Sequence, residues 1–380
     1  MERREAVVIG AGPAGLSVAA MLRKRGIDAL VVDRADAVGS SWRRHYDRLH
    51  LHTVRWLSNL PGLRLSRKYG KWVSRDGVVD YLERFARHHK LDLKLGTEVS
   101  RVDRSGDRWV VRTGDGDIEA DDVVVATGYN HTPFFPDWPG RDGFTGELVH
   151  AARYRNPEPY RGRDVVVIGS GNTGAEIAVD LVEGGAGRVR LAVRTPPNIV
   201  LREPNGVPNP VPGVLFRYFS PKIVDPLAFA IRKRTIGDLE PYGLPMPDRG
   251  PFTRMREDHA IPIVDVGVID MVKKGNVEVV AGLVGFDGAK VLLADDSAIE
   301  PDVVIVATGF RRGLEPLVGH LGVIRENGRP VVDGARQTPD APGLWFIGYT
   351  NPVSGMFRQL NIDSRRIARA LSRRRRAAGA

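Results

Sequence analysis

The chain has 380 residues, 43 glycines, no cysteine and a formal charge of +10. Without a thiol, dithiol and thiolate catalysis, Cys-ligated zinc and Cys-ligated iron–sulfur clusters are all excluded. The positive charge is no nucleic-acid signature: 46 of the 56 basic residues are Arg, spread along the chain, with the densest run at Arg373–Arg376, and no recognisable binding module accompanies them.

The first element, EAVVIGAGPAGLSVAAMLRKRGIDALVVDR, is a β-run, a glycine turn, an amphipathic helix and a second β-run. Its turn, Gly10-Ala11-Gly12-Pro13-Ala14-Gly15, has the G-x-G-x-x-G register of a dinucleotide site. Gly10 makes the tight turn, Gly12 admits the pyrophosphate, and Gly15 lets helix and sheet pack closely. Asp33, followed by Arg34, ends the second run, where a carboxylate accepts from a ribose diol. The apolar start mimics a signal peptide, but the nucleotide fingerprint accounts for it. No apolar run approaches the roughly 20 residues that span a bilayer, so no stable membrane insertion is expected, and a soluble, cytoplasmic protein is.

YDRLHLH (46–52) places His50 and His52 two apart, on one face of a strand. No carboxylate or further His completes a metal site there, and none is expected. VVVATGY (123–129) is an apolar β-run ending in Thr127 and Gly128, where the chain returns to the nucleotide. FTGELVHAARY (144–154) fits no helix or strand pattern, yet carries Phe144, Gly146, His150 and Tyr154 at regular spacing.

The fingerprint then recurs. RDVVVIGSGNTGAEIAVDLVEGGAGRVRLAVRT supplies Gly169-Ser170-Gly171-Asn172-Thr173-Gly174 between a strand and a helix. Here the second strand ends in Arg194 and Thr195 rather than an acid. A guanidinium pairs with a 2′-phosphate that a carboxylate would repel, so this site favours NADPH over NADH. VIVATGF (304–310) repeats the earlier returning strand.

Between the second fingerprint and its return, 195–262 is so rich in Pro and Gly that regular elements are not expected over most of it. Its interior piece LFRYFSPKIVDPLAFAIRKRT is partly helical in pattern and apolar enough to cap a pocket or dock on a second subunit, so a homo-oligomer stays open. NIDSRRIARALSRRRR reads as a C-terminal helix with Asn361 or Asp363 as N-cap, ending in a solvated, frayed tail. These elements predict an α/β protein of two Rossmann-like dinucleotide-binding domains. The first occupies 1–158 and is completed by 311–380. The second, 159–310, is inserted into it and carries the 195–262 excursion.

With a nucleotide fold on either side, F-x-G-x-x-x-H-x-x-x-Y at 144–154 resembles the identifying sequence of the flavin-containing monooxygenases. The likeness runs through nearly the whole chain in the family's order: GAGPAG, GSSWR (39–43), YDRLHLH, ATGY, the linker motif, GSGNTG, ATGF and GLWFIGY (343–349). YDRLHLH looks most like the plant auxin-forming, YUCCA-type branch and its bacterial relatives. Tyr154 stands where the Baeyer–Villiger relatives carry Trp. The resemblance implies FAD on Gly10, Gly12, Pro13, Ala14, Gly15, Asp33 and Arg34, with Ser41, Trp42, Val99, Thr127, Gly128 and Gly348 also on the flavin side. It implies NADPH on Gly169 through Gly174, Arg194 and Thr195. It implies further that NADPH reduces the flavin and that a C4a-hydroperoxide delivers one oxygen of O₂ to an amine, a sulfide or a 2-oxo acid. His52 then lies where many members carry Asn near the flavin, as a candidate catalytic residue or a packed, hydrogen-bonded one. A reductase of the same fold that passes electrons on without oxygenation is the alternative.

Overall fold

In the computed structural model, which describes all residues except 210–215, 217–218, 259, 353 and 379–380 (and only the backbone of 205 and 378), the chain forms two units. The first comprises Met1–Arg44, Thr53–Thr132 and Phe310–Ala380; the second comprises His45–His52 and Pro133–Gly309.

The first unit is built on β1 (Glu2–Ile9), whose C-terminal half is wholly apolar and buried, as in a parallel strand covered on both faces. β2 (Ala29–Val32) and β3 (Asp92–Lys94) follow on one side, and β6 (Ile118–Val125) lies on the other. β6 divides its length between two neighbours. Its first half pairs antiparallel with β5 (Arg108–Thr113), which pairs in turn with β4 (Val99–Ser105); its second half pairs parallel with β17 (Leu344–Phe346). Trp109, Ile118, Val123, Val125, Leu344 and Phe346 fill the core on one face. α1 (Pro13–Arg23) packs on β1 and β2, and against it lie α6 (Met356–Ala378) and α2 (Arg75–His88), the latter capped by Ser74 Oγ accepting from Gly77 N at 3.2 Å.

The second unit has a five-stranded parallel sheet in the order β12 (Glu278–Ala281), β9 (Arg188–Val193), β8 (Asp164–Ile168), β16 (Val303–Val306) and β7 (Glu147–His150). α3 (Asn172–Glu183) follows β8. A small antiparallel sheet of β13 (Leu283–Asp287), β14 (Lys290–Leu293) and β15 (Ala298–Ile299) adjoins it in sequence, and β10 (Ile199–Leu201) pairs with β11 (Ile263–Asp265).

Four features differ from the sequence expectations. The 144–154 stretch contains a strand: β7 is a sheet edge, and its partner β16 lies more than 150 residues away, so no local period announces it. Residues 133–158 and 45–52, expected with the first domain, fall in the second unit. In the Pro-rich excursion the interior piece expected to be partly helical forms α4 (Pro221–Thr235), and among the described residues a further helix, α5 (Pro251–Glu257), stands where none was expected. Each places a proline in its first turn, where the missing N–H costs nothing. Asp225 of α4 accepts from Phe252 N (2.8 Å) and Thr253 N (3.1 Å), capping α5 from across the excursion. Finally, α6 starts at Met356, so Asn361 and Asp363 are interior rather than caps. Its Arg-rich end is not a solvated tail either: Arg374 pairs with the buried Asp122 at 3.1 Å, and Arg375 with Asp121 and Glu5.

Two candidate nucleotide cradles and a buried carboxylate

In the first unit the chain leaves β1 at Gly10, whose φ of +114° an L-residue rarely adopts. A Cβ on Gly10 would stand 2.4 Å from Ala126 O, and one on Gly15 1.8 Å from Gly10 O. Both glycines are demanded by the chain itself. Gly12 is different: a Cβ there meets nothing within 4 Å, and its φ and ψ of −84° and −176° are ordinary. Neither a close contact nor the backbone conformation requires a glycine there.

Gly12 is also the N-cap of α1, and no side chain caps that helix. Its first N–H groups therefore have no side-chain cap, and the positive end of the helix dipole lies there. Pro13 occupies the first turn. Ala14 lies against Gly348, where an added Cβ would come within 3.2 Å, so residues more than 330 positions apart meet at the helix start.

Asp33 lies at the end of β2. Its Oδ2 accepts from Ala11 N at 2.6 Å and its Oδ1 from Ala35 N at 2.8 Å, which locks the carboxylate beside the glycine loop. Thr127 follows β6 and binds the buried Tyr349 hydroxyl through N (3.2 Å) and Oγ1 (2.8 Å); Gly128, at φ +97°, has open space around its Cβ position. Arg34 is exposed and 3.9 Å from Glu98. Ser41 and Trp42 sit in a single turn, Ser40–Arg43, with Trp42 edge-on to Phe357 at 5.9 Å. Val99 begins β4, paired with Thr113.

The second cradle repeats this pattern. Gly169 (φ +116°) and Gly174 would place Cβ atoms 2.5 Å from Ala307 O and 2.0 Å from Gly169 O, whereas Gly171, the uncapped N-cap of α3, meets nothing within 4 Å. Asn172 is committed to the chain: it donates to Pro262 O (3.1 Å) and accepts from Val264 N (2.8 Å), tying the helix start to β11. Ser170 Oγ is 3.4 Å from Thr195 O, and Thr173 hydrogen-bonds Tyr46. Arg194 follows β9 as Asp33 follows β2. It is exposed and has no carboxylate partner among the described residues, so its guanidinium is available to an incoming phosphate.

The linker motif turns out to build this second unit. Phe144 packs on Phe286 (ring centroids 4.9 Å apart), and Gly146 is small because the Phe144 ring lies over it, 2.5 Å from where a Cβ would be. His150 Nδ1 accepts from Ala152 N at 3.0 Å, so Nε2 carries the proton and donates to Gly309 O at 3.1 Å. Burial keeps this imidazole neutral, pushing its pKa below the usual value. Tyr154 donates to Asp180 Oδ2 at 2.7 Å and stacks on Tyr160.

His52 belongs to the same unit, though not to a strand. His50 turns back to Arg48 O at 2.7 Å, while His52 Nε2 lies 2.5 Å from Glu176 Oε1. Glu176 is buried on α3, one residue past the glycine fingerprint's end and its following Ala, and its other oxygen accepts from Tyr46 OH at 3.1 Å. One turn along, Asp180 accepts from Tyr154 and pairs with Arg48 at 3.4 Å. Glu176, Asp180 and Glu183 thus form one helix face that grips segment 45–52.

Two residues of interest escaped the motif reading. Glu176 is hidden by looking like one of many helical acids. Asp333 has a buried Oδ1 without a hydrogen-bond partner among the described residues, and its carboxyl is pushed up to about 7 by burial and by Asp363. It receives the N–H of Tyr349, next to Gly348 at the start of α1.

The family model of the pyridine nucleotide-disulphide oxidoreductases matches residues 7–202, just over half of the chain. Its disulphide chemistry cannot apply to a chain without cysteine. Indole-3-pyruvate monooxygenase YUCCA1 of Oryza sativa is 32% identical over 360 residues, covering 92% of this chain and 88% of that one. Probable indole-3-pyruvate monooxygenase YUCCA9 of Arabidopsis thaliana is 32% identical over 353 residues, covering 90% and 84%. Among solved structures, the flavin-containing monooxygenase from Stenotrophomonas maltophilia superposes with a TM-score of 0.75 at 25% identity over the full length of both chains. A cyclohexanone monooxygenase at 20% identity shares the fold with a TM-score of 0.75. The chain belongs to the flavin-containing monooxygenase family: it is an FAD-dependent oxidoreductase with two Rossmann-like domains.

Proposed function

We propose that the protein is an NADPH-dependent flavin monooxygenase that inserts one O₂-derived oxygen into a small organic substrate: an amine, a sulfide or a 2-oxo acid. FAD binds the first cradle through Gly10, Gly12, Gly15 and Asp33, and NADPH binds the second through Gly169, Gly171, Gly174, Arg194 and Thr195. The observation that carries this reading is the shared asymmetry of the two cradles. In each, the outer glycines are packed by the chain while the middle one faces open space at an uncapped helix start. The two differ where a 2′-phosphate would be read, Asp33 in one and Arg194 in the other. A double mutant of the Stenotrophomonas enzyme, with a Gln–His pair replaced by Arg–Thr, has a TM-score of 0.77 to this chain, which carries Arg194-Thr195 natively. The names of the plant relatives favour the 2-oxo acid among the three substrate classes.

When bound, FAD accepts hydride from NADPH and in its reduced form activates O₂. The chain's own residues position and shield. Asp33, locked by two backbone N–H groups, holds the ribose end. The helix starts at Gly12 and Gly171 stabilise the pyrophosphates. Glu176 accepts from His52 Nε2 and so holds the imidazole in one orientation.

Anaerobic reduction of the purified yellow protein with NADPH, followed by mixing with O₂ under absorbance detection, tests the reading. A flavin transient lasting seconds, discharged by substrate, is expected. Immediate reoxidation with stoichiometric H₂O₂ and fast reduction of an added acceptor would instead identify an electron-transfer enzyme.

The Glu176→Gln variant keeps the side-chain volume but loses the charge that orients His52. Both cofactors should still bind, while product formed per NADPH falls about a hundredfold, the lower end of what a positioned acid–base group contributes. Unchanged coupling would reduce the His52–Glu176 pair to packing.

A further inference from the structure

α4 presents an apolar face that is exposed among the described residues. Ile223, Leu227 and Ile231 recur every fourth residue and are 67%, 46% and 45% exposed; Phe219, four residues earlier and just before the helix, is 47% exposed. At 100° per residue the three helical positions share a stripe about 80° wide. On the opposite face Asp225 and Arg232 turn inward, and Val224, next to the stripe's edge, is also buried.

The charged side chains of α4 that reach solvent are all of one sign. Arg234 falls within the arc of the stripe, and Lys222 and Lys233 are exposed on one flank of the helix. The only acid of the helix, Asp225, is buried and occupied by the N–H groups at the start of α5. The nearest exposed acids along the chain, Asp238 and Glu240, lie beyond the helix end, where Asp238 Oδ1 accepts from Glu240 N at 3.0 Å. An ordinary solvated helix face carries mixed charge and no apolar stripe.

From this surface we propose that α4 adsorbs the protein peripherally to an anionic lipid bilayer. The apolar stripe would enter the headgroup–acyl boundary, and the Lys and Arg heads would reach phosphate oxygens while their stems lie along the apolar face. α4 is too short to cross a bilayer, and no described helix is long and apolar enough to do so, which fits adsorption rather than insertion. Charge complementarity selects lipid over a second copy of the chain. A two-fold contact through this stripe would set Lys222, Lys233 and Arg234 against their own copies with no exposed acid on α4 to pair them. Four half-exposed side chains also fall well short of the roughly 800 Å² per partner that a stable dimer buries.

The test is co-sedimentation of the full-length flavoprotein with vesicles of equal parts phosphatidylcholine and phosphatidylglycerol, and with phosphatidylcholine alone. The protein should pellet with the anionic vesicles at low salt, be released as salt rises, and stay in solution with neutral ones. The Leu227→Glu, Ile231→Glu double variant should lose adsorption, and the Lys222→Gln, Lys233→Gln, Arg234→Gln triple variant should weaken it roughly a hundredfold. Both should keep the melting temperature, bound flavin and turnover of the parent. Equal sedimentation with neutral vesicles would overturn the proposal, as would variants that sediment like the parent. So would a glutamate variant that changes the native mass from dimer to monomer while vesicle adsorption is unaltered. Failure of the parent to bind anionic vesicles at all would also overturn it, leaving the stripe to a protein partner.

Discussion

Gly12→Val should purify as folded, colourless protein, whereas Gly15→Ala, a far smaller change, should fail to accumulate in soluble form. The two glycines are three residues apart, but they answer to different demands. At Gly12 the backbone is in an extended conformation open to any residue, and no atom lies within 4 Å of an added Cβ. The isopropyl group therefore costs the apoprotein little, and it stands where the pyrophosphate must approach the helix start. At Gly15 the added Cβ would sit 1.8 Å from the carbonyl oxygen of Gly10, a backbone atom pinned through Gly10 N to Val32 O at 2.8 Å. Relief requires α1 to move off the sheet. Overpacking of this kind costs about 1–3 kcal/mol or more, against a total stability of about 5–15 kcal/mol. The ratio of flavin to protein absorbance and a circular-dichroism melt separate the outcomes. A fully yellow Gly12→Val protein would remove Gly12 from the FAD site. The same logic applied to Gly171, also extended and open, predicts that Gly171→Val stays yellow but is no longer reduced by NADPH.

The second large effect concerns coenzyme choice. Arg194→Ala should weaken NADPH by about 1.5–3 kcal/mol, roughly ten- to a hundred-and-fifty-fold, with little change for NADH. Arg194 is exposed and makes no ion pair among the described residues, so its loss should leave the fold undisturbed. The ratio of KM values for the two coenzymes in flavin reduction reports the outcome. Equal losses for both would remove the guanidinium from the phosphate site.

Much of this architecture was legible because its signals are short-range. Strand, glycine turn, helix and strand occupy about 30 residues each, and within them Gly10, Gly15, Gly169 and Gly174 are dictated by contacts close in sequence or with the returning strands at Ala126 and Ala307. The linker was opaque for the opposite reason. Phe144 is explained by Phe286, His150 by Gly309 and Tyr154 by Asp180, partners up to 159 residues distant. Asp333 carries no motif at all: what sets it apart is burial and a carboxylate neighbour, which only the folded chain creates. The Arg-rich terminus misled because its composition suits a solvated tail, while Asp121, Asp122 and Glu5 give its arginines defined partners.

The residence of Tyr46, Arg48 and His52 on the acidic face of α3 constrains how this enzyme can be dissected. Excising 133–309 as a stand-alone coenzyme module would strip Glu176 and Asp180 of those partners and leave ionised groups stranded in the interior. A chimera between relatives would meet the same difficulty unless the short peptide 45–52 travelled with the later half. Modularity here follows hydrogen bonds rather than chain order, and any recombination library should place its crossovers accordingly.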